Sequence, residues 1–464
     1  MMSHLAGDGR GRPGSGAEAT SEAKYAERVE DSDFKFEYEF VEEIERLEQY
    51  KPGGYHPIAL GDTLHNGRYR IVDKLGHGTY STSWIARDVK LDKYVAIKIC
   101  TAKSSDTSYE GEILRQLLDS NDERSILVSY LLDEFYLDGP NGRYACIVTK
   151  PTRMSLSDAR ETSSCYGLFH MPTACAIIAQ LIHAVAFCHE KGIAHGDLHL
   201  NNIMFCFPPT THIDTLSQDD LHEKFGQPAA EPLKRLDGIP LGPGVPKHAI
   251  PGAWFGCSSE KVTLADCTIS LADFGEAYRV TPGTEGQRLE CHTPLRLRPP
   301  EAKFGPCELG PASDVWSLAC AIFEIAGTAP LFFGSFFLNA DSVTEDWVDM
   351  LGRLPDKWWT RWDTRAEMFT EDGGKSDHSV DDVRGSLEQR FERRSQELRR
   401  NEGMEEWSAE ETASLLGMLK AMLVYEPAGR ISAAEILDTE WMVKWGTPAL
   451  EEMKRAQEAA PGSK

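Results

Sequence analysis

Three short stretches carry side chains whose types and order suit the handling of phosphate. VAIKI sets Lys98 in a strand-like alternation, HGDLHLNN places Asp197 and Asn202 in one tight loop, and ISLADFGEA closes an apolar run with Asp273. An ammonium neutralises phosphate oxygens, and a carboxylate within reach of a hydroxyl orients it and takes its proton. An amide oxygen and a second carboxylate, joined by phosphate oxygens, make the octahedral shell magnesium prefers. Asn202 and Asp273 are therefore the expected metal ligands, and Asp197 is the expected partner of an attacking hydroxyl. LGHGTYSTSW adds Gly76 and Gly78, where missing side chains let backbone N–H groups approach phosphates.

These groups need rigid elements behind them. Alternation begins at Tyr69, in RYRIVDKLGHGTYSTSWIARD and KYVAIKI, the period-two signature of antiparallel strands. Because it continues through Ile85 instead of giving way to a helix, the Gly-rich stretch reads as a flap over a nucleotide and not as a dinucleotide-binding turn. The same period puts Val95, Ile97 and Ile99 on one face of VAIKI and Ala96 with Lys98 on the other. SYEGEILRQLL reads as a helix whose acid should hold Lys98 against the phosphates, and the expected residue is Glu112 in preference to Glu110.

From Pro172 helices take over. TACAIIAQLIHAVAFCHEK and DVWSLACAIFEIA are apolar almost all round, so both should be buried. The fold class expected is α+β and bilobal: a strand-rich small lobe over residues 54–152 and a helical large lobe over 153–446. Residues 1–53 read as a disordered, acidic arm lying solvated on the domain, and 447–464 as a polar, frayed tail. A Pro- and Gly-rich insert occupies about 207–262, too long for an ordinary connection, and a charged helical run follows RLPDKWWTRWDTR in a second interruption.

Among 464 residues, 49 basic against 73 acidic give a formal charge of −24. That balance argues against a nucleic-acid-binding surface and for attraction of basic partners. The 11 cysteines contain no C-x-x-C pair, so they read as buried thiols of a reducing compartment, with neither a disulfide framework nor a zinc site. The first residues show no apolar signal region, and no stretch reaches the ~18 uninterrupted apolar residues of a membrane helix, so a soluble, intracellular protein is expected.

Together these motifs resemble protein kinases, whose loop H-R-D-L-x-x-x-N and D-F-G triplet supply the same groups. Gly196 stands where the arginine belongs, and His199 where many protein kinases place a lysine. HGDLH also occurs in small-molecule phosphotransferases. HTPLRLRPPE, however, occupies the place of a peptide-positioning loop, with Arg430 set to pair with Glu301 and Asp314 to tie the HGD loop from beneath. A small-molecule enzyme has no use for such a loop.

The chain resembles the SR-protein kinases, which phosphorylate serines in Arg/Ser-rich splicing factors, and most of all their short-insert fungal relatives. The resemblance rests on EQYKPGGYHPIALGDTLHNGRYRIVDKLGHGTYSTSW, on LDGIPLGPGVPKH within the insert and on LGRLPDKWW beyond the buried helix. Arg298 matches the arginine before the P-E pair in the wider group that includes cyclin-dependent and mitogen-activated kinases. Ser81 in place of a third glycine is then a family trait. The resemblance implies ATP and Mg2+ as cofactors. It implies a nucleotide site of Leu75, Gly76, Gly78, Ser81, Ser83, Ala96, Lys98 and Thr149, the last as gatekeeper, and a catalytic set of Asp197, Lys98, Glu112 and His199. It further implies basic Arg/Ser-rich protein substrates, no direct nucleic-acid or membrane partner, a monomer, and residence in cytoplasm and nucleus. Gly196, His199 and Ser83 support a rival expectation, a catalytically weak pseudokinase or scaffold of the same fold.

Overall fold

The computed structural model describes residues 37–119, 121–280, 290–305, 309–334, 337–376 and 385–460. The small lobe is built on a six-stranded antiparallel sheet of β1 (Thr63–Leu64), β2 (Tyr69–Gly78), β3 (Ser81–Asp88), β4 (Lys93–Cys100), β5 (Leu131–Gly139) and β6 (Gly142–Thr149), in the order β1-β2-β3-β4-β6-β5. Alternation decides which side chains reach the cleft. Val95, Ile97 and Ile99 are buried in the sheet's apolar face, whereas Ala96 and Lys98 are half-buried on the other. Behind β4 runs α1 (Glu110–Leu117), whose Ile113, Leu114 and Leu117 pack inward at helical spacing.

In the large lobe, α2 (Met171–Glu190) and α3 (Pro311–Ala326) are buried along nearly their whole length, as their composition demands. By length and composition α2 could cross a membrane, but 89% of its apolar window is buried inside the protein, which makes it a core helix. Proline in the first turn starts both helices, where its missing N–H costs nothing.

A small sheet of β7 (Thr152–Ser155), β8 (Ile203–Cys206) and β9 (Ile269–Leu271) then sets the floor of the cleft. β8 and β9 pair antiparallel with Leu271 opposite Ile203, so Asn202 before one strand meets Ala272 after the other, and Ala272 N donates to Asn202 O at 2.8 Å. The 207–262 insert leaves from the far ends of these strands, where its length does not disturb the floor.

That insert is folded. Ser217 caps a helix, Gln218–Phe225, and Leu221 with Phe255 packs into a cluster with Val72, Ile85 and Tyr94 of the small lobe. Ala253 N donates to Lys74 O at 2.7 Å, and Asp214 Oδ1 accepts from Tyr94 N at 2.9 Å. The insert thus straps the large lobe to the small one.

Two boundaries differ from expectation. Residues 1–36 lie outside those described, but the acidic arm from Glu37 onward lies on the domain as an ordered segment that is solvated on one side only, with Phe40, Glu42 and Glu43 exposed. Tyr38, Leu47 and Tyr50 are buried with Tyr55, Leu233 and Ala249, and Glu45 forms a buried ion pair with Lys74 of β2. Aromatic side chains interleaved with the acids supply the apolar area that holds it. Nor are residues 447–460 a frayed tail: α4 (Thr447–Ala459) buries Ala449 and Met453, four apart on one face, and Gln457 bonds Thr268 Oγ1 at 2.7 Å.

Candidate active site

Lys98 projects from β4 towards α1 and the end of β9. Its Nζ lies 2.7 Å from Glu110 Oε2 and 2.6 Å from Asp273 Oδ1. Glu112 does not take this place. It is half-exposed and pairs with Arg279 at 3.3 Å. The helix explains why: Glu110, Ile113, Leu114 and Leu117 recur at i, i+3, i+4 and i+7, so Glu110 shares the inward face while Glu112 points off it. That pattern was present in the sequence and identifies the pairing acid once the helix is anchored on its buried residues.

One cation between two carboxylates polarises all three. Lys98's positive charge holds the Asp273 carboxyl down at about 2. Burial pushes Glu110 up, against the pull of Lys98, and burial also works against the Lys98 charge, but Asp273 and Glu110 outweigh it and hold the ammonium above its ordinary value. Asp273 adopts a left-handed backbone, φ 58°, and its carboxylate also accepts from Gly275 N at 3.4 Å.

The HGD loop is held from below. Asp314, at the start of α3, accepts from His195 N at 2.7 Å and Gly196 N at 2.9 Å, and lies 3.0 Å from His189 Nε2. Burial opposes its charge, yet His189 and these N–H groups keep its carboxyl below the usual range. Gly196 sits at φ +76°, a left-handed conformation glycine takes without strain. His195 Nε2 lies 3.0 Å from Ala272 O, joining this loop to the strand that ends in Asp273.

Asp197 is thereby fixed facing the cleft. Asn202 Nδ2 donates to its backbone oxygen at 2.9 Å, and His199 Nε2 stands 3.5 Å from Oδ2. Its Oδ1 is buried without a hydrogen-bond partner. An unpartnered buried carboxylate oxygen is costly unless a ligand satisfies it.

A cavity of about 420 Å³ joins these groups, lined by Gly78, Ser81, Lys98, Glu110, Asp197 and Asp273 among others. Leu75, Gly76, Ser83, Ala96, Thr149, Asn202 and His199 are not in its lining. Four of them are joined through the sheet: Gly76 stands opposite Ser83, Ser83 opposite Lys98, and Ala96 opposite both Ile85 and Thr149, while Leu75 falls at a register shift in β2 and has no cross-strand partner there. A larger groove of about 1060 Å³ lies elsewhere, along the Ala409–Met422 helix, and contains none of these side chains. Among the described residues no cluster of three or more His, Cys, Asp or Glu side chains could hold a metal by itself. Asp273 lies on this cavity, and the bond from Ala272 N to Asn202 O brings Asn202 beside it, so the pair offers the carboxylate and amide oxygens that a divalent cation takes.

Below the cleft, Glu301 and Arg430 make a buried bidentate pair at 2.8 and 2.6 Å, and Arg298 Nε donates to Thr293 O at 3.0 Å. Thr293 Oγ1 in turn donates to Gly196 O at 3.1 Å, so the HTPLRLRPPE loop is fastened to the HGD loop.

Comparison with known proteins agrees with this geometry. A protein kinase domain matches residues 69–212. The chain is a protein serine/threonine kinase. Its relatives are of the SR-protein-kinase type. A serine/threonine-protein kinase SRPK of Physarum polycephalum is 27% identical over 422 residues, covering 87% of this chain and 92% of that protein. Protein kinase dsk1 of Schizosaccharomyces pombe is 24% identical, covering 87% of this chain and 86% of its own length. SRSF protein kinase 3 of Homo sapiens is 33% identical over 171 residues, 36% of this kinase and 30% of the human protein.

Proposed function

We propose that this kinase transfers the γ-phosphoryl group of ATP to serines of basic, Arg/Ser-rich polypeptides. The observation that carries the reading is the free Oδ1 of Asp197 on the same cavity as the Lys98–Asp273 pair. Glu110 holds Lys98 where its charge can meet phosphate oxygens, and Asp197 orients the acceptor hydroxyl and receives its proton. Asp273 and Asn202 would hold magnesium, which neutralises charge on the transferring group when bound. His199, beside Asp197, restrains that carboxylate's second oxygen.

Two facts support a basic acceptor: the formal charge of −24, and kinship with a protein named for phosphorylating SRSF proteins. The test compares transfer from ATP to an Arg/Ser peptide, a neutral Ser peptide, and choline-like and aminoglycoside acceptors. The Arg/Ser peptide should be preferred, and Asp197→Asn or Asp273→Asn should lower its phosphorylation by about 10²-fold or more. Equal use of the neutral peptide would remove the substrate assignment, and wild-type rates in either variant would remove the residue assignment.

A further inference from the structure

The GGYHP stretch has no place in the chemistry above, yet its tyrosine touches the Gly-rich flap. Tyr55 is 4% exposed, and its hydroxyl donates to Gly78 O at 2.7 Å with Thr79 O at 3.2 Å, so its single hydrogen is shared between two successive carbonyls. Tyr55 does not line the cleft cavity, whereas Gly78, Thr79 and Tyr80 do. The hydroxyl therefore holds the flap from outside.

Peptide planarity gives this contact a consequence inside the cleft. In a trans peptide the C=O of one residue and the N–H of the next point in opposite directions. With the Gly78 and Thr79 carbonyls turned to Tyr55, the N–H groups of Thr79 and Tyr80 face the other way, towards the cavity that holds Lys98 and Asp273. Successive N–H groups aimed at one point form an anion cradle. A second tie acts beside it: Thr101 N donates to Tyr80 O at 2.7 Å.

The residues around Tyr55 make it a fixed anchor. Gly53 adopts φ +86°, and a Cβ on Gly54 would meet Gln49 O at 1.8 Å, so the turn that presents Tyr55 admits only glycine there. Tyr55 N donates to Gln49 O, and Asn141 Nδ2 donates to both Tyr55 O and Gly244 O, at 2.9 and 2.7 Å. The Tyr55 ring packs on Tyr50 at 5.5 Å, and Tyr50 bonds Glu45, the partner of Lys74. The arm, the insert and the start of the flap all converge on this side chain. Burial, reinforced by Glu45, pushes the Tyr55 hydroxyl up to about 12, so it keeps its proton.

We infer that Tyr55 is a positioning residue for the nucleotide's phosphates: its hydroxyl holds the flap carbonyls outward so that the Thr79 and Tyr80 N–H groups meet phosphate oxygens. This rests on the nucleotide-binding reading above.

The test is Tyr55→Phe, which keeps the ring and removes the hydroxyl, with affinities for Mg-ATP and for adenosine measured by calorimetry. Adenosine has no phosphates and should bind within about twofold of wild type, while ATP should bind about three- to tenfold more weakly and its KM should rise in parallel. The KM for peptide and the melting temperature should hold. Unchanged ATP affinity, or equal losses for ATP and adenosine, would overturn the inference. A wild-type protein that binds ATP but does not phosphorylate an Arg/Ser peptide would instead sink the substrate assignment and leave this comparison readable.

Discussion

Lys98 Nζ is 2.7 Å from Glu110 Oε2, and Glu112, two residues on, faces Arg279 instead. Two neighbouring acids on one short helix therefore have different roles, separated only by the direction each side chain takes. Glu110→Gln should lower kcat/KM by about 10- to 100-fold, because Lys98 loses the charge that holds it. Glu112→Gln should stay within about twofold. Steady-state kinetics on the two variants decide it, and the reverse ranking would refute the assignment.

Gly196 has no side chain with which to receive a phosphate from the activation segment. Instead the segment's end is fastened by Thr293 to Gly196 O, Arg298 to Thr293 O and Glu301 to Arg430. Thr293 is 3% exposed and already bonded, and Thr281 and Thr284 lie outside the described residues. Phosphatase-treated enzyme should turn over at the rate of untreated enzyme. A kinase silenced by the treatment, and revived by phosphorylation of one of these threonines, would refute this.

Arg430 and Glu301 form an ion pair with side chains 0% and 3% exposed. Removing only the cation strands a buried carboxylate, so Arg430→Ala should cost about 3–5 kcal/mol in urea unfolding. Arg430→Met combined with Glu301→Gln should recover part of that loss. If the single and double variants are equally unstable, the cost is lost packing and not an uncompensated charge.

Asp73 of β2 is 2% exposed, and burial lifts its carboxyl to about 6 despite a backbone bond from Lys74 N. In the unfolded chain an aspartate titrates near ~3.9, so the folded protein holds this proton more tightly. The resulting stability is fully present below ~3.9 and is lost as pH rises through about 6. Asp73→Asn removes the charge at high pH. It should raise stability at pH 8 by up to about 3 kcal/mol and do little at pH 4. Melting temperatures at both pH values test the sign; a larger gain at pH 4 would contradict it.

Much of the site was legible because its elements obey local periods. The alternation in VAIKI separates Lys98 and Ala96 from Val95, Ile97 and Ile99, and the burial in β4 follows it. The apolar runs that become α2 and α3 required burial on every side, and Asp314 at the head of α3 lies under the HGD loop as the resemblance to protein kinases implied. What local pattern does not carry is which distant surfaces meet. Nothing periodic links Leu221 to Val72, or Glu45 to Lys74, and the role of Tyr55 depends on a turn returning to the flap across Asn141. The misplaced acid on α1 was a question of phase: an eight-residue helix contains few apolar marks, and without fixing its start one cannot tell position 110 from 112.

The strap between the lobes limits how the cleft can open. A body tethered to another at one point pivots freely in three directions; tethered at two separated points, it turns only about the line joining them. The Lys150–Pro151 connection is one tether, the insert seated on Lys74 and Tyr94 is a second, and the bond from Asn141 Nδ2 to Gly244 O of the insert is a third. Wide gaping would have to peel Phe255 and Leu221 from Val72 and Ile85, exposing apolar surface to water. Each further tether takes away freedom that two alone would leave, so the lobes are held to smaller excursions than a single connection would allow.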